Sequence, residues 1–142
     1  MAFFEYAVKV VVGQSDGEVV APGEYWTAVN VHNPWSGTVE FREKVAVGLP
    51  GMRPGPITPF VGLVLRPDEA LEIDRRDILR QAKAPKFLKG FVVIQTNREL
   101  DVVAVYTAAP QKGGVQTIHT ERVPPRNLRP TQKAVKAKRG AR

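Results

Sequence analysis

The chain is written in runs of roughly six to twelve residues rich in Val, Ile, Thr and aromatics, cut at short intervals by clusters of Gly, Pro, Asn and Asp. Runs this short, separated by turn chemistry rather than by long helical patterns, predict antiparallel sheets and argue against alternating βαβ units. The expected fold is therefore all-β: a single antiparallel β-sandwich of about seven to nine strands with one short helix and a basic C-terminal tail. The prevalence of Val agrees with this, since its branched side chain suits a pleated surface and is stiff in a helix.

The strands can be placed from their turns. Phe4 to Val12 ends at Gly13-Gln14-Ser15-Asp16-Gly17, and Glu24 to His32 ends at Asn33-Pro34. Thr38 to Leu49 aligns Val39, Phe41, Val45, Val47 and Leu49 on one face; Glu43 breaks the alternation and predicts a bulge or an edge position there. Leu49 to Pro59, with Pro50, Gly51, Pro54, Gly55, Pro56 and Pro59, predicts an extended loop rather than a strand. Phe60 to Leu65 and Ala70 to Ile73 are two short strands around Arg66-Pro67-Asp68-Glu69. Asp74 is an N-cap for a helix reaching about Ala82, with Asp77 in its first turn and Pro85 beyond its end. Phe91 to Thr96 and Leu100 to Ala108 are expected to pair through a tight Asn97-Arg98-Glu99 hairpin as the centre of the core. Val115 to Val123 forms a last strand that stops at Pro124-Pro125.

Charge divides the chain in two. The last seventeen residues carry seven cations, Arg126, Arg129, Lys133, Lys136, Lys138, Arg139 and Arg142, and no acid. Removing these from the 21 Lys and Arg leaves fourteen, matched by the 14 Asp and Glu of the whole chain. The expected organisation is a neutral β-sandwich domain over 1–125 and a basic tail over 126–142. Such a tail has too little apolar surface to fold alone. Its cations could hold nucleic acid, an acidic partner or an anionic membrane, in the first case without sequence specificity.

Catalytic and metal chemistry find little foothold. Cysteine is absent, which removes disulfides, thiolate metal sites and a Cys nucleophile. Ser15 and Ser36 lie in turns outside any nucleophile-elbow pattern. Neither His32 nor His119 has a carboxylate at a recognisable ligand spacing, so both are read as strand histidines. The acids Asp68, Glu69, Glu72, Asp74 and Asp77 are interrupted by Arg66, Arg75 and Arg76, which predicts ion pairs rather than a cation site. Lys89-Gly90-Phe91-Val92-Val93-Ile94 approaches an RNA-recognition-motif strand but has one ring where several are needed, and is read as a buried strand entered through a glycine. The N-terminal Met-Ala-Phe-Phe-Glu-Tyr lacks the pattern of a signal peptide, and no apolar stretch reaches the ~20 residues of a membrane span. The expectation is a cytoplasmic, non-enzymatic protein without cofactor or metal.

The order of elements from Val29 to Thr107, with Leu65-Arg66-Pro67-Asp68-Glu69-Ala70-Leu71-Glu72-Ile73-Asp74 followed by Phe91-Val92-Val93-Ile94-Gln95-Thr96 and Leu100 to Thr107, resembles the small soluble transducer proteins of bacterial sensory rhodopsins. That resemblance implies a cytoplasmic β-sandwich that oligomerises. The Gly/Pro segment and the basic tail depart from the pattern. Together these observations predict a binding or assembly module, self-associating or held to another protein, with contacts at Trp26, Trp35, Pro50, Met52, Arg53 and Pro54. The alternative is an accessory protein of nucleic acid or of a nucleoprotein particle, anchored by the tail.

Overall fold

A computed structural model describes residues 2–129. The elements run β1 (Phe4–Ser15), β2 (Gly23–His32), β3 (Val39–Leu49), β4 (Arg53–Ile57), β5 (Val61–Leu65), β6 (Ala70–Ile73), α1 (Arg75–Gln81), β7 (Phe87–Thr96), β8 (Asp101–Ala109), β9 (Thr117–Arg122) and β10 (Arg126–Asn127). Every pairing is antiparallel and the sheet is not closed. One hydrogen-bonded sheet, ordered β4-β3-β7-β1-β2-β8-β9, turns over where β1 meets β2 and forms two facing layers. The first holds β3, β7 and β1, with β4 and β5 sharing the outer edge of β3; the second holds β6, β2, β8 and β9.

Alternation selects the core. Tyr6, Val8, Val10 and Val12 of β1, Leu88, Val92 and Ile94 of β7, and Val39, Phe41 and Val45 of β3 point inward from one layer; Val29 and Val31 of β2 and Val102 and Ala104 of β8 point inward from the other. Full burial of each such valine contributes roughly 1.5–3 kcal/mol. At the corner, the β1–β2 ladder ends at Gly13↔Tyr25. Gly13 has φ 112, and a Cβ there would run into the Lys86 carbonyl, so only glycine lets β1 turn this closely past β7. Beyond the split, the Thr27 hydroxyl accepts from Val11 N–H at 2.9 Å and donates to Val11 C=O at 3.1 Å, replacing the ladder with a side chain.

The helix forms where its cap predicts. Asp77 N–H donates to Asp74 Oδ1 and Asp74 N–H to Asp77 Oδ2, both at 3.0 Å, and Ile78 is sunk completely into the core.

Four expectations require correction. The described residues hold ten strands rather than seven to nine, because the Gly/Pro segment contains β4: Arg53 and Pro54 pair with Leu49 and Gly48, and Ile57 with Ala46. Pro54 and Pro56 alternate, so their missing donors fall on one side, which an edge strand can turn to solvent. The ladder shifts register between Ala46 and Gly48, where a Cβ on Gly55 would strike the Val47 carbonyl. Second, β7 and β8 are not hairpin partners. β7 lies between β1 and β3, β8 lies between β2 and β9, and Asn97-Arg98-Glu99 crosses from one layer to the other. Leu100, just after the crossing, is fixed by the buried Tyr6 hydroxyl, which accepts from its N–H and donates to its C=O, both at 2.8 Å. Val103 accordingly faces away from the core that Val102 and Ala104 enter.

Third, Glu43 is neither bulged nor at an edge: it pairs regularly with Ile94 and Val61, and its side chain points inward. Fourth, the sheet continues past Pro125. Arg126 and Asn127 pair with Glu5 and Phe4, and Leu128 N–H donates to Phe3 C=O at 2.8 Å.

Candidate functional site

Two features of the described residues stand apart from the satisfied core: a buried acid at the mouth between the layers, and a strand buried on neither face.

Glu43 lies on β3 where the strand's outer neighbour changes. β5 pairs with Val39 to Glu43 and β4 with Ala46 to Leu49. The gap at Val45 is stitched by Thr58, whose N–H donates to Val45 C=O and whose hydroxyl accepts from Val45 N–H, both at 2.9 Å. Glu43 is only 3% exposed, and its Oε2 has no hydrogen-bond partner among the described residues. Burial pushes its carboxyl above the usual carboxylate range; Gln81 counters this in part and the charge of Asp77 adds to it. The carboxyl opens on a cleft of about 450 Å³ between β3 and β5 on one side and β6 on the other. Val61, Leu63, Leu71 and Ile73 supply apolar walls; Asp77, Arg80 and Gln81 of α1 close one end. Arg80 is already engaged by Asp77, at 2.8 Å.

β9 is exposed at all six of its residues and pairs, among the described residues, only with β8. Ile118 is 68% exposed, and His119 stacks on Tyr106 with ring centroids 6.1 Å apart. Val123 N–H donates to Val102 C=O at 2.9 Å. Antiparallel alternation from that bond directs the N–H groups of Ile118, Thr120 and Arg122 to the free side of the strand.

The residues singled out from sequence are scattered. Trp26 is on the outer face of β2 beneath the Arg75 guanidinium, 4.9 Å from its ring, and Arg75 in turn reaches Glu24 at 2.6 Å. Trp35 lies past the other end of β2, where its Nε1–H donates to Glu99 C=O at 2.6 Å and Arg98 covers its ring at 4.1 Å. Pro50 and Met52 form the exposed β3–β4 turn, and Arg53 and Pro54 open β4 in the other layer. The two tryptophans therefore stand at opposite ends of β2 and do not form one patch with the turn. Of the seven tail cations, Arg126 pairs with Glu5 and Arg129 covers Phe3 at 4.5 Å. Glu5 is held below the usual carboxylate range, first by the Gln95 amide and then by Arg126. Lys133, Lys136, Lys138, Arg139 and Arg142 lie outside the described residues.

Other polar groupings were missed. His32 has a carboxylate on each ring nitrogen: Asp101 at Nδ1 and Asp68 at Nε2, both at 2.8 Å. The Asp101 bond, then the Asp68 bond, raise its pKa above the ordinary histidine value. The link needs the His32↔Asp101 register of β2 and β8 and the left-handed turn at Asp68, φ 63, neither of which residue spacing reveals. Asn33, fully buried, shares its amide protons among the carbonyls of Gly37, Leu65 and Arg66 and accepts from Trp35 N–H. Phe91 points outward under Lys9, 5.2 Å from its ring, while Val92 and Ile94 are buried; the strand is thus buried on one face only. The acids after Arg66 are shared out: Asp68 to His32, Glu69 to Arg66, and Asp74 and Asp77 to the helix cap. Among the described residues, no three His, Asp or Glu side chains are grouped to hold a metal ion, and no helix is long and apolar enough to cross a membrane.

No protein-family model and no curated protein matches the chain. Among solved structures it is similar to Thermotoga maritima 1070. The TM-score is 0.58 at 11% identity, over 87% of this chain and 93% of that one. At that identity the likeness is one of fold.

Proposed function

We propose that this protein is a non-enzymatic assembly module that associates with a second copy of itself through β9. The supporting observation is that the outer edge of β9 pairs with nothing among the described residues. An edge strand of Thr117-Ile118-His119-Thr120-Glu121-Arg122, with outward N–H groups and no proline within it, lacks most of the devices by which edges are blunted. Pairing across a two-fold axis completes it.

Register follows from parity. Residues whose donors face outward must meet one another, and centring on Thr120 sets Thr120 opposite its own copy and Ile118 opposite Arg122. The same register places the His119 ring opposite the Glu121 carboxylate on both sides of the axis, whereas centring on His119 would set two imidazoles against each other. The first arrangement gives each imidazole a carboxylate; the second sets the imidazoles together and leaves Glu121 opposite the Thr117 hydroxyl.

Light scattering on the full chain should give a multiple of the monomer mass. Thr120→Pro removes one outward donor while leaving the β8 ladder its own, so it should reduce the mass to that of a monomer with the circular dichroism of the sheet retained. A wild-type chain that stays monomeric at all concentrations, or a Thr120→Pro chain that keeps its assembly, would refute the β9 reading.

A further inference from the structure

We propose that the cleft floored by Glu43 binds a small primary amine carried on an apolar chain, with the ammonium against the Glu43 carboxylate and the chain along Leu63 and Leu71. The site is separate from β9 and stands whether or not the protein assembles.

Three observations converge on this ligand. The first is Glu43 Oε2, buried and without a partner among the described residues. A polar atom held out of water without a hydrogen bond carries a free-energy cost, and a structure that retains one leaves an acceptor for something that fits beside it. The second is the shape and lining of the space. A volume of about 450 Å³ between apolar walls accommodates a molecule rather than a single ion, and the walls reward a hydrocarbon body. The third is the sign of the surroundings. Asp77 of α1 lines the cleft alongside Glu43, and the one cation among the lining residues, Arg80, is already paired with Asp77. An anionic ligand would meet the Glu43 and Asp77 carboxyl groups and, among the lining residues, no unpaired cation. A neutral ligand would leave the acidity of Glu43 unanswered. An ammonium answers it and supplies up to three donors to Glu43 and its neighbours.

The proton balance is simple. In the empty cleft burial favours the neutral carboxyl. When the ammonium docks, the carboxyl releases its proton to solvent and the ion pair forms, so binding expels a proton in the pH range where Glu43 is protonated beforehand.

Hexylamine hydrochloride is the probe, with 1-hexanol and sodium hexanoate as controls of the same chain length. Titration of the full chain, followed by amide NMR, should shift residues of β3, β5, β6 and α1 with the amine. Hexanol should bind at least about tenfold more weakly and hexanoate not at all, the margin expected of one charge-assisted hydrogen bond. Glu43→Gln, which keeps the shape, should remove the amine's advantage over the alcohol. Calorimetry in two buffers of different ionisation heat reads the expelled proton on the unmutated protein, and keeps the test open should the variant fail to fold. Equal binding of amine and alcohol, undiminished amine binding in Glu43→Gln, no proton released at any pH, or no binding at millimolar amine would each overturn the proposal. So would amide shifts in the cleft that follow protein concentration and ignore the amine, which would assign the space to a second copy.

Discussion

Thr27 and Glu43 are both polar residues at inward-facing positions of otherwise apolar strands, yet the fold treats them differently. Thr27 sits where β1 and β2 part, and its hydroxyl serves both backbone groups of Val11. Glu43 sits where β5 hands over to β4 on the edge of β3, and its Oε2 is served by nothing among the described residues. The first is a polar group recruited to close a gap in the ladder. The second is left open toward a cleft. Where a core polar group is satisfied its role is architectural; where it is not, the surrounding space is the place to look for a ligand.

The contrast can be broken first at the helix that walls the cleft. Ile78→Ala removes the side chain that seats α1 in the core and should destabilise the protein by about 2–5 kcal/mol in chemical unfolding. A loss below about 1 kcal/mol would mean that the helix is only loosely held and the cleft has no fixed end. Next in size, Thr27→Val keeps the shape but strands the Val11 N–H and C=O, at a cost of about 1–3 kcal/mol. Unchanged stability would show that β1 and β2 can close their own gap, and the architectural half of the comparison would fall.

The smallest effect concerns Glu43 itself and is a matter of pH. Its folded pKa is raised, so its contribution to stability is fully present below the unfolded carboxyl value of about 4.3 and is lost as pH rises through the folded one. Glu43→Gln has no such titration. It should therefore gain on the wild type as pH rises from about 4 to 7, measured as the difference in unfolding midpoints. A difference independent of pH would mean that Glu43 is solvated in the folded state. His32 follows the same sign through a different cause: its two aspartates stabilise the protonated ring, and that support is present below the ordinary imidazole pKa and fades as pH rises through the raised value.

Much of the strand plan was legible because alternation is a property of neighbouring residues. The segment Ala70–Ile73, the Asp74 cap and the Val-rich faces of β1 and β3 all follow from local pattern. What could not be read depends on register. Asn97-Arg98-Glu99 is short enough for a hairpin, and nothing in those three residues reveals that the chain changes layer. Glu43 was visible as a break in the alternation, but whether such a break is expelled or buried is decided by what β5 and α1 place over it. The prolines of β4 concealed a strand because they argue against a ladder's interior, while the outside of an edge tolerates them. His32, Asp68 and Asp101 are far apart in the chain, and only the β2–β8 pairing and the Asp68 turn bring them together. Trp26, Trp35, Pro50, Met52, Arg53 and Pro54 stand out in the sequence by their residue types, whereas the contact proposed for β9 rests on an exposure that composition does not show.

The position of β1 sets a condition on how this chain is made. The first strand lies in the middle of the sheet order, and its long partner is β7, with Val8 paired to Val92 and Phe4 to Thr96. β2 can take up the four residues of β6 first, but its full-length partner is β8, whose last paired residue is Ala109. A ribosome releasing the polypeptide from its N-terminus exposes Val8, Val10 and Val12 long before the strands that cover them have been synthesised. Among the described residues, the one early pairing of β1 is the short hairpin from Gly13↔Tyr25 to Ser15↔Gly23. Long sequence separation slows closure and prolongs exposure of apolar strands. The β3–β4, β3–β5 and β2–β6 pairs can form first, but the inward valines of β1 and β2 are covered in full only as residues 87–109 emerge.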